Sequence, residues 1–126
     1  MADLGHRDLS ERIIAAALAV HTALGPGFVE KVYENALCVE LAARGLRFEQ
    51  QKPVRILHRD IEVGEHRLDL VVEGVFLVEL KAVRDLEDIF FAIARSQMKA
   101  ARLAEGMILN FATHPLTIKR VGPGRQ

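Results

Sequence analysis

Tryptophan is absent from this chain, and tyrosine and cysteine occur once each, as Tyr33 and Cys38. A lone cysteine cannot close an intramolecular disulfide or build a thiolate zinc cluster. The lack of disulfides points weakly to a reducing compartment. With no Trp, and with Phe residues mostly at apolar positions, no platform for stacking nucleic-acid bases is visible. No apolar run approaches the roughly 18 to 20 residues needed to cross a bilayer. The start, MADLGHRDLSER, is polar and lacks the basic-then-apolar form of a signal peptide. A cytoplasmic protein without a membrane segment is expected. An excess of one charge is also missing, since 17 basic residues balance 17 acidic ones. Dedicated nucleic-acid binders usually carry a basic excess. Neutrality therefore argues against strong non-specific DNA binding by a monomer, while leaving room for a local basic cleft.

What is present fits one domain over residues 1–126, with 50% hydrophobic and 27% charged residues. A chain of this size buries enough surface to fold without a disulfide or a structural metal. Apolar positions 9, 13, 14, 17, 18, 20 and 24 recur at helical spacing. Gly25-Pro26-Gly27 then breaks the chain, and a second helix is expected from about Phe28 to Arg44. Strand-forming segments follow at 46–52, 54–59, 61–63, 67–72 and 75–81, punctuated by Pro53, Asp60, Gly64 and Gly74. A helical pattern returns over 86–103. Strands are expected at 106–111 and 116–121, with His114-Pro115 between them and a mobile tail over 122–126. This order predicts an α/β or α+β sandwich with a mixed sheet flanked by helices. The step from Val75 to Phe111 suits a right-handed parallel crossover.

The segment RLDLVVEGVFLVELK, residues 67–81, places Asp69, Glu79 and Lys81 among Leu, Val and Phe. A strand covered on both faces does not carry charge cheaply, because burying an ion costs several kcal/mol unless it is compensated. By alternation Glu79 shares a face with Lys81, and Asp69 shares one with Arg67 and Val71. A two-residue turn at Glu73-Gly74 would send Asp69 away from Glu79. A three-residue connection, or one bulge using Gly74, brings them opposite or diagonal, with Cβ atoms about 4.5 to 8 Å apart. Two carboxylates that close repel unless a cation lies between them. Oxygen ligands favour Mg²⁺ or Mn²⁺, and a neighbouring lysine can orient a water or balance phosphate charge. Such a group suits metal-assisted phosphodiester hydrolysis. Glu-x-Lys at a strand end is also commonly a solvated ion pair.

Other residues carry weaker signals. Glu30, Tyr33, Glu34 and Leu37 share one side of the second helix. Glu30 can lean toward Asp69 or remain a solvated first-turn acid, with Glu34 as the alternative. Tyr33 reads as core with its hydroxyl paired, Cys38 as packed and inert, and Arg67 as an ion-pair partner for Asp69. The histidines show no metal-ligand spacing. Lys52, Arg55, Arg59, Arg84, Arg95, Lys99 and Arg102 either rim a groove or are scattered solubilising charge.

Asp69 followed after nine residues by Glu79-Leu80-Lys81 resembles the PD-(D/E)XK nuclease superfamily. Gly27-Phe-Val-Glu30-Lys-Val-Tyr33 is similar to the GxxExxY signature of a family of small proteins within it. YENALCVEL, GLRFEQQKPV, RLDLVVE, VELKAV, Gln97, LNF and KRV agree in order, so the resemblance covers about residues 9 to 121. It implies a restriction-endonuclease-like αβββαβ core, a central mixed sheet with helices on both sides. It also implies roles: Asp69 and Glu79 as metal ligands with the Leu80 carbonyl, Lys81 as the water-positioning lysine, Glu30 as the acid holding metal-bound water, and Gln97 as an auxiliary residue. The family tends to have Tyr four residues after the Gln and His three before it. Here those positions are Ala101 and Ala94, which puts substrate positioning near Gln97 in question.

The leading expectation is a Mg²⁺- or Mn²⁺-dependent nuclease acting on DNA. Two alternatives remain: a catalytically inactive nuclease-fold module for binding or regulation, and a structural protein whose buried charges form an ion-pair network. Two copies of so small a domain would grip a duplex better than one, which leaves a homodimer open.

Overall fold

The computed structural model describes residues 6–123. Helices α1 (Arg7–Leu24) and α2 (Glu30–Ala43) lead into β1 (Phe48–His58), β2 (Ile61–Val72) and β3 (Phe76–Lys81). Helix α3 (Asp88–Ala101), β4 (Glu105–Asn110) and β5 (Thr117–Val121) follow. The αβββαβ order implied by the resemblance is present as α2 through β4, with α1 before it and β5 after it. The five strands form one mixed sheet in the order β1-β2-β3-β4-β5. Only the β3–β4 pair is parallel, and α3 makes the crossover between them. The expected tail is not described over residues 124–126. Among the described residues no helix is long and apolar enough to cross a membrane.

Alternation along the strands sorts the core onto two sides. Leu70, Val72, Phe76, Val78 and Leu80 pack with Ile13, Ala17, Tyr33, Leu37 and Leu41 of α1 and α2. Val71, Leu77 and Ile108 pack with Ala94 and Met98 of α3. β3 is therefore buried on both faces, as its continuous apolar run requires.

Two expected breaks are not breaks. Strand β1 runs through Pro53 and β2 runs through Gly64. β1 lies at the sheet edge, where a missing N–H leaves no ladder bond unmade. Arg59 and Asp60, both at positive φ, form the two-residue turn joining β1 to β2.

Helix α2 starts at Glu30 rather than Phe28, and Tyr33 supplies the reason. Its buried hydroxyl donates to the Gly25 carbonyl at 2.6 Å and accepts the Phe28 N–H at 3.1 Å. The ring stacks on Phe111 with centroids 4.7 Å apart. Gly27 sits at φ 117, which an L side chain resists, so the chain turns here before the helix begins. Gly27 and Tyr33 thus shape the entry to α2 and set where Glu30 stands. Tyr33→Phe leaves the ring and removes the clamp. It is expected to cost about 1 to 3 kcal/mol in chemical denaturation. A loss below about 0.5 kcal/mol would show that the clamp does not hold the loop.

Candidate active site

The connection from β2 to β3 spans three residues, since Val72 pairs with Phe76. Glu73 and Gly74 take φ values of 54° and 71°. This is the odd loop required for Asp69 to oppose Glu79. The regular ladder ends at Leu70 and Val78, one position short of the two acids. There the carboxylates take over the backbone bonds. Glu79 Oε2 accepts the Asp69 N–H at 2.8 Å, and Asp69 Oδ2 accepts the Leu80 N–H at 2.9 Å. A strand residue's N–H and C=O point the same way, so the Leu80 carbonyl also faces the Asp69 side.

A local defect in β2 aims Asp69. Leu68 and Val71 belong to the same core face, which plain alternation forbids. Alternation therefore breaks between them, at Asp69. On the neighbouring strand, Gln51 drops out of the paired register between Gln50 and Lys52 and takes φ 54°. A non-glycine residue in that region costs about 1 to 2 kcal/mol, and irregularities of this kind re-aim side chains beside functional sites. One consequence corrects the sequence reading. Arg67 does not pair with Asp69; it turns outward and meets Glu65 at 3.3 Å.

Around the two acids stand the other expected residues. The Lys81 ammonium lies 4.5 Å from the centre of the Phe90 ring on α3, a cation–π contact. Among the described residues it makes no ion pair within 4 Å, although its charge is felt by Glu79, Asp69 and Glu30. Gln97 is 4% exposed, reaches the Arg67 carbonyl at 3.4 Å and lies close enough to the Glu79 carboxyl to oppose its upward shift. Its Oε1 has no partner among the described residues. Glu30 is half-buried and lies within electrostatic reach of Lys81, Asp69 and Glu34. Ala94 and Ala101 instead fill space between α3 and the sheet.

Glu34, the alternative helix acid, is already occupied. It is 2% exposed and accepts bonds from Lys31 at 3.0 Å, Gln50 at 2.7 Å and Gln51 at 3.0 Å. Gln50 and Gln51 carried no separate signal in the sequence, because two glutamines in a row read as ordinary edge-strand polarity. Asn110 was equally silent. It is buried at the end of β4, donates to the Val83 carbonyl at 2.8 Å and accepts the Val83 N–H at 3.1 Å. It thereby fixes the chain just beyond Lys81. Cys38 packs in the core, where burial pushes its thiol up to about 11.

Burial and negative charge outweigh the pull of Lys81 at this site. Burial, then the charge of Asp69, pushes Glu79 up to about 8, against the opposing pull of the Asp69 N–H, Lys81 and Gln97. Burial also raises Asp69, as does the charge of Glu34, against the Leu80 N–H and the Gln51 amide. Glu30 is raised by burial, with Lys81 opposing. Among the described residues no three His, Cys, Asp or Glu side chains already surround one point. The available donors are two carboxylates and one carbonyl. That set fits a small hard cation that keeps several waters, and it does not fit a closed protein cage. A divalent ion would also offset the burial and neighbouring negative charge that raise both acids.

Of the seven basic residues considered, Arg55, Lys99 and Arg102 line one depression of about 490 Å³ between β1 and α3. The other four do not line it.

Raised carboxyls bind protons more tightly folded than unfolded. The resulting stability is fully present below the unfolded value of 4.5 and is lost as pH climbs to about 8. The metal-free protein should lose on the order of a few kcal/mol between pH 5 and 9. Glu79→Gln should flatten that slope and melt higher than the wild type at pH 8.5. A wild-type melting temperature independent of pH would contradict the burial of this acid.

A family model for the PD-(D/E)XK nuclease superfamily matches residues 7–121. Comparison with curated proteins and with solved structures gave no match. The matched span includes both helices before the sheet, the acids, the lysine and all five strands. Nucleases of this type typically use divalent metal ions. From the strand order, the acid pair at the end of the β2–β3 ladder and the matched span together, the chain belongs to the PD-(D/E)XK nuclease superfamily.

Proposed function

We propose that this protein is a nuclease of the GxxExxY group that uses Mg²⁺ or Mn²⁺ to hydrolyse phosphodiester bonds in DNA. The observation that carries this reading is the reciprocal exchange between Asp69 and Glu79, with Lys81 two residues on and, among the described residues, no ion pair at either acid. Asp69, Glu79 and the Leu80 carbonyl would hold the metal. Bound there, the ion supplies Lewis acidity toward a phosphoryl oxygen and a lowered pKa for water. Lys81, held against Phe90, orients the attacking water and balances charge on the phosphate. Glu30, raised by burial, accepts a hydrogen bond from that water and receives its proton. Gln97, buried on α3, would be an auxiliary residue beside Glu79. The depression lined by Arg55, Lys99 and Arg102 gives the backbone of a nucleic acid a basic surface despite the chain's neutrality.

The test is cleavage of single- and double-stranded DNA with Mg²⁺, with Mn²⁺ and with chelator. Metal-dependent cutting is expected, and Asp69→Ala, Glu79→Ala and Lys81→Ala should each lower it at least about 100-fold. Cutting that survives Glu79→Ala and Lys81→Ala would overturn these roles. DNA binding without any cutting would instead assign the fold to a non-catalytic module.

Lys81→Met separates function from stability. Among the described residues Lys81 has no ion pair within 4 Å to lose, and methionine keeps an apolar contact with Phe90. The variant should fall within about 1 kcal/mol of the wild type, or exceed it, while losing cleavage. A loss of several kcal/mol would restore the structural reading of this lysine.

A further inference from the structure

We propose that Gln51 is the positioning residue for Asp69, and that Glu34 acts through Gln51 rather than on the metal. Consecutive strand residues point to opposite faces. Gln50 and Gln51 nevertheless both reach Glu34, at 2.7 Å and 3.0 Å. The left-handed φ of 54° at Gln51 turns its side chain to the side of its neighbour. The amide nitrogen of Gln51 has two hydrogens. It meets Glu34 Oε1 at 3.0 Å and Asp69 Oδ1 at 3.2 Å, so one NH₂ bridges two acids. Asp69 Oδ2 meanwhile accepts the Leu80 N–H at 2.9 Å. Each oxygen of Asp69 is thus held by a donor from a different neighbouring strand, which sets the plane of the carboxylate. Lone pairs remain on both oxygens for a cation.

Glu34 supplies the other end of the tether. It is buried, and Lys31, Gln50 and Gln51 occupy its two oxygens. Groups that orient a ligand from behind typically contribute 10- to 100-fold to metal affinity. The inference rests on the metal reading proposed above.

Gln51→Gly is the informative variant. Glycine suits the positive φ at no steric cost and removes the whole side chain, its bridging amide included. The variant should stay folded, relief of backbone strain offsetting part of the lost hydrogen bonds, yet bind Mn²⁺ about 10- to 100-fold more weakly by titration calorimetry. Glu34→Gln should weaken binding in the same direction. If Gln51 matters only for its backbone, Gln51→Gly will bind Mn²⁺ as the wild type does, and the proposal is overturned. A metal-free readout separates this from failure of the metal reading. Amide exchange at Leu80, whose N–H is held by Asp69, should be about 10-fold faster in Gln51→Gly than in the wild type. Faster exchange with no Mn²⁺ binding by the wild type would keep the tether and reject the metal site. Unchanged exchange at Leu80 would reject the tether, whatever the metal does.

Discussion

Two carboxylates complete the hydrogen bonding of two strands that have stopped pairing with each other. The whole site depends on that substitution. Where the β2–β3 ladder ends, Glu79 takes the Asp69 N–H and Asp69 takes the Leu80 N–H. Each bond favours the charged form, and burial and mutual repulsion disfavour it more. The fold therefore holds two acids in place at an electrostatic cost that a cation would relieve. The same feature makes the site unstable alone and receptive to a divalent ion.

The rest of the molecule serves this arrangement in layers. The apolar residues of β3 pack on both faces and fix the strand that carries Glu79 and Lys81. Asn110 holds the chain beyond that strand, and Phe90 seats the lysine. Tyr33 and Gly27 shape the entry to α2, placing Glu30 near the acids and Glu34 against the two glutamines. Within residues 27–33, Gly27 and Tyr33 shape the backbone, and Glu30 stands within electrostatic reach of Asp69 and Lys81.

Much of this was legible in the sequence because it followed from period and parity. Helical spacing marked α1 and α3, and the requirement that Asp69 meet Glu79 demanded an odd loop, which residues 73–75 supply. Charges inside an apolar strand marked the site itself. What escaped was whatever depends on a break in regularity. Nothing in EQQKP announces that Gln51 adopts a left-handed backbone, so neither the Glu34 tether nor the re-aimed Asp69 could be read. Arg67 was assigned to Asp69 by an alternation that the structure interrupts, and it pairs with Glu65 instead. Pro53 read as a boundary because its place at a sheet edge is a tertiary fact.

The most direct test of the account is a crystal of the protein soaked in Mn²⁺ and measured at a wavelength where manganese scatters anomalously. The account predicts one ion about 2.0 to 2.2 Å from oxygens of Asp69 and Glu79 and from the Leu80 carbonyl, with waters completing its coordination. An ordered, unoccupied acid pair at saturating Mn²⁺, or an ion bound only elsewhere, would contradict it.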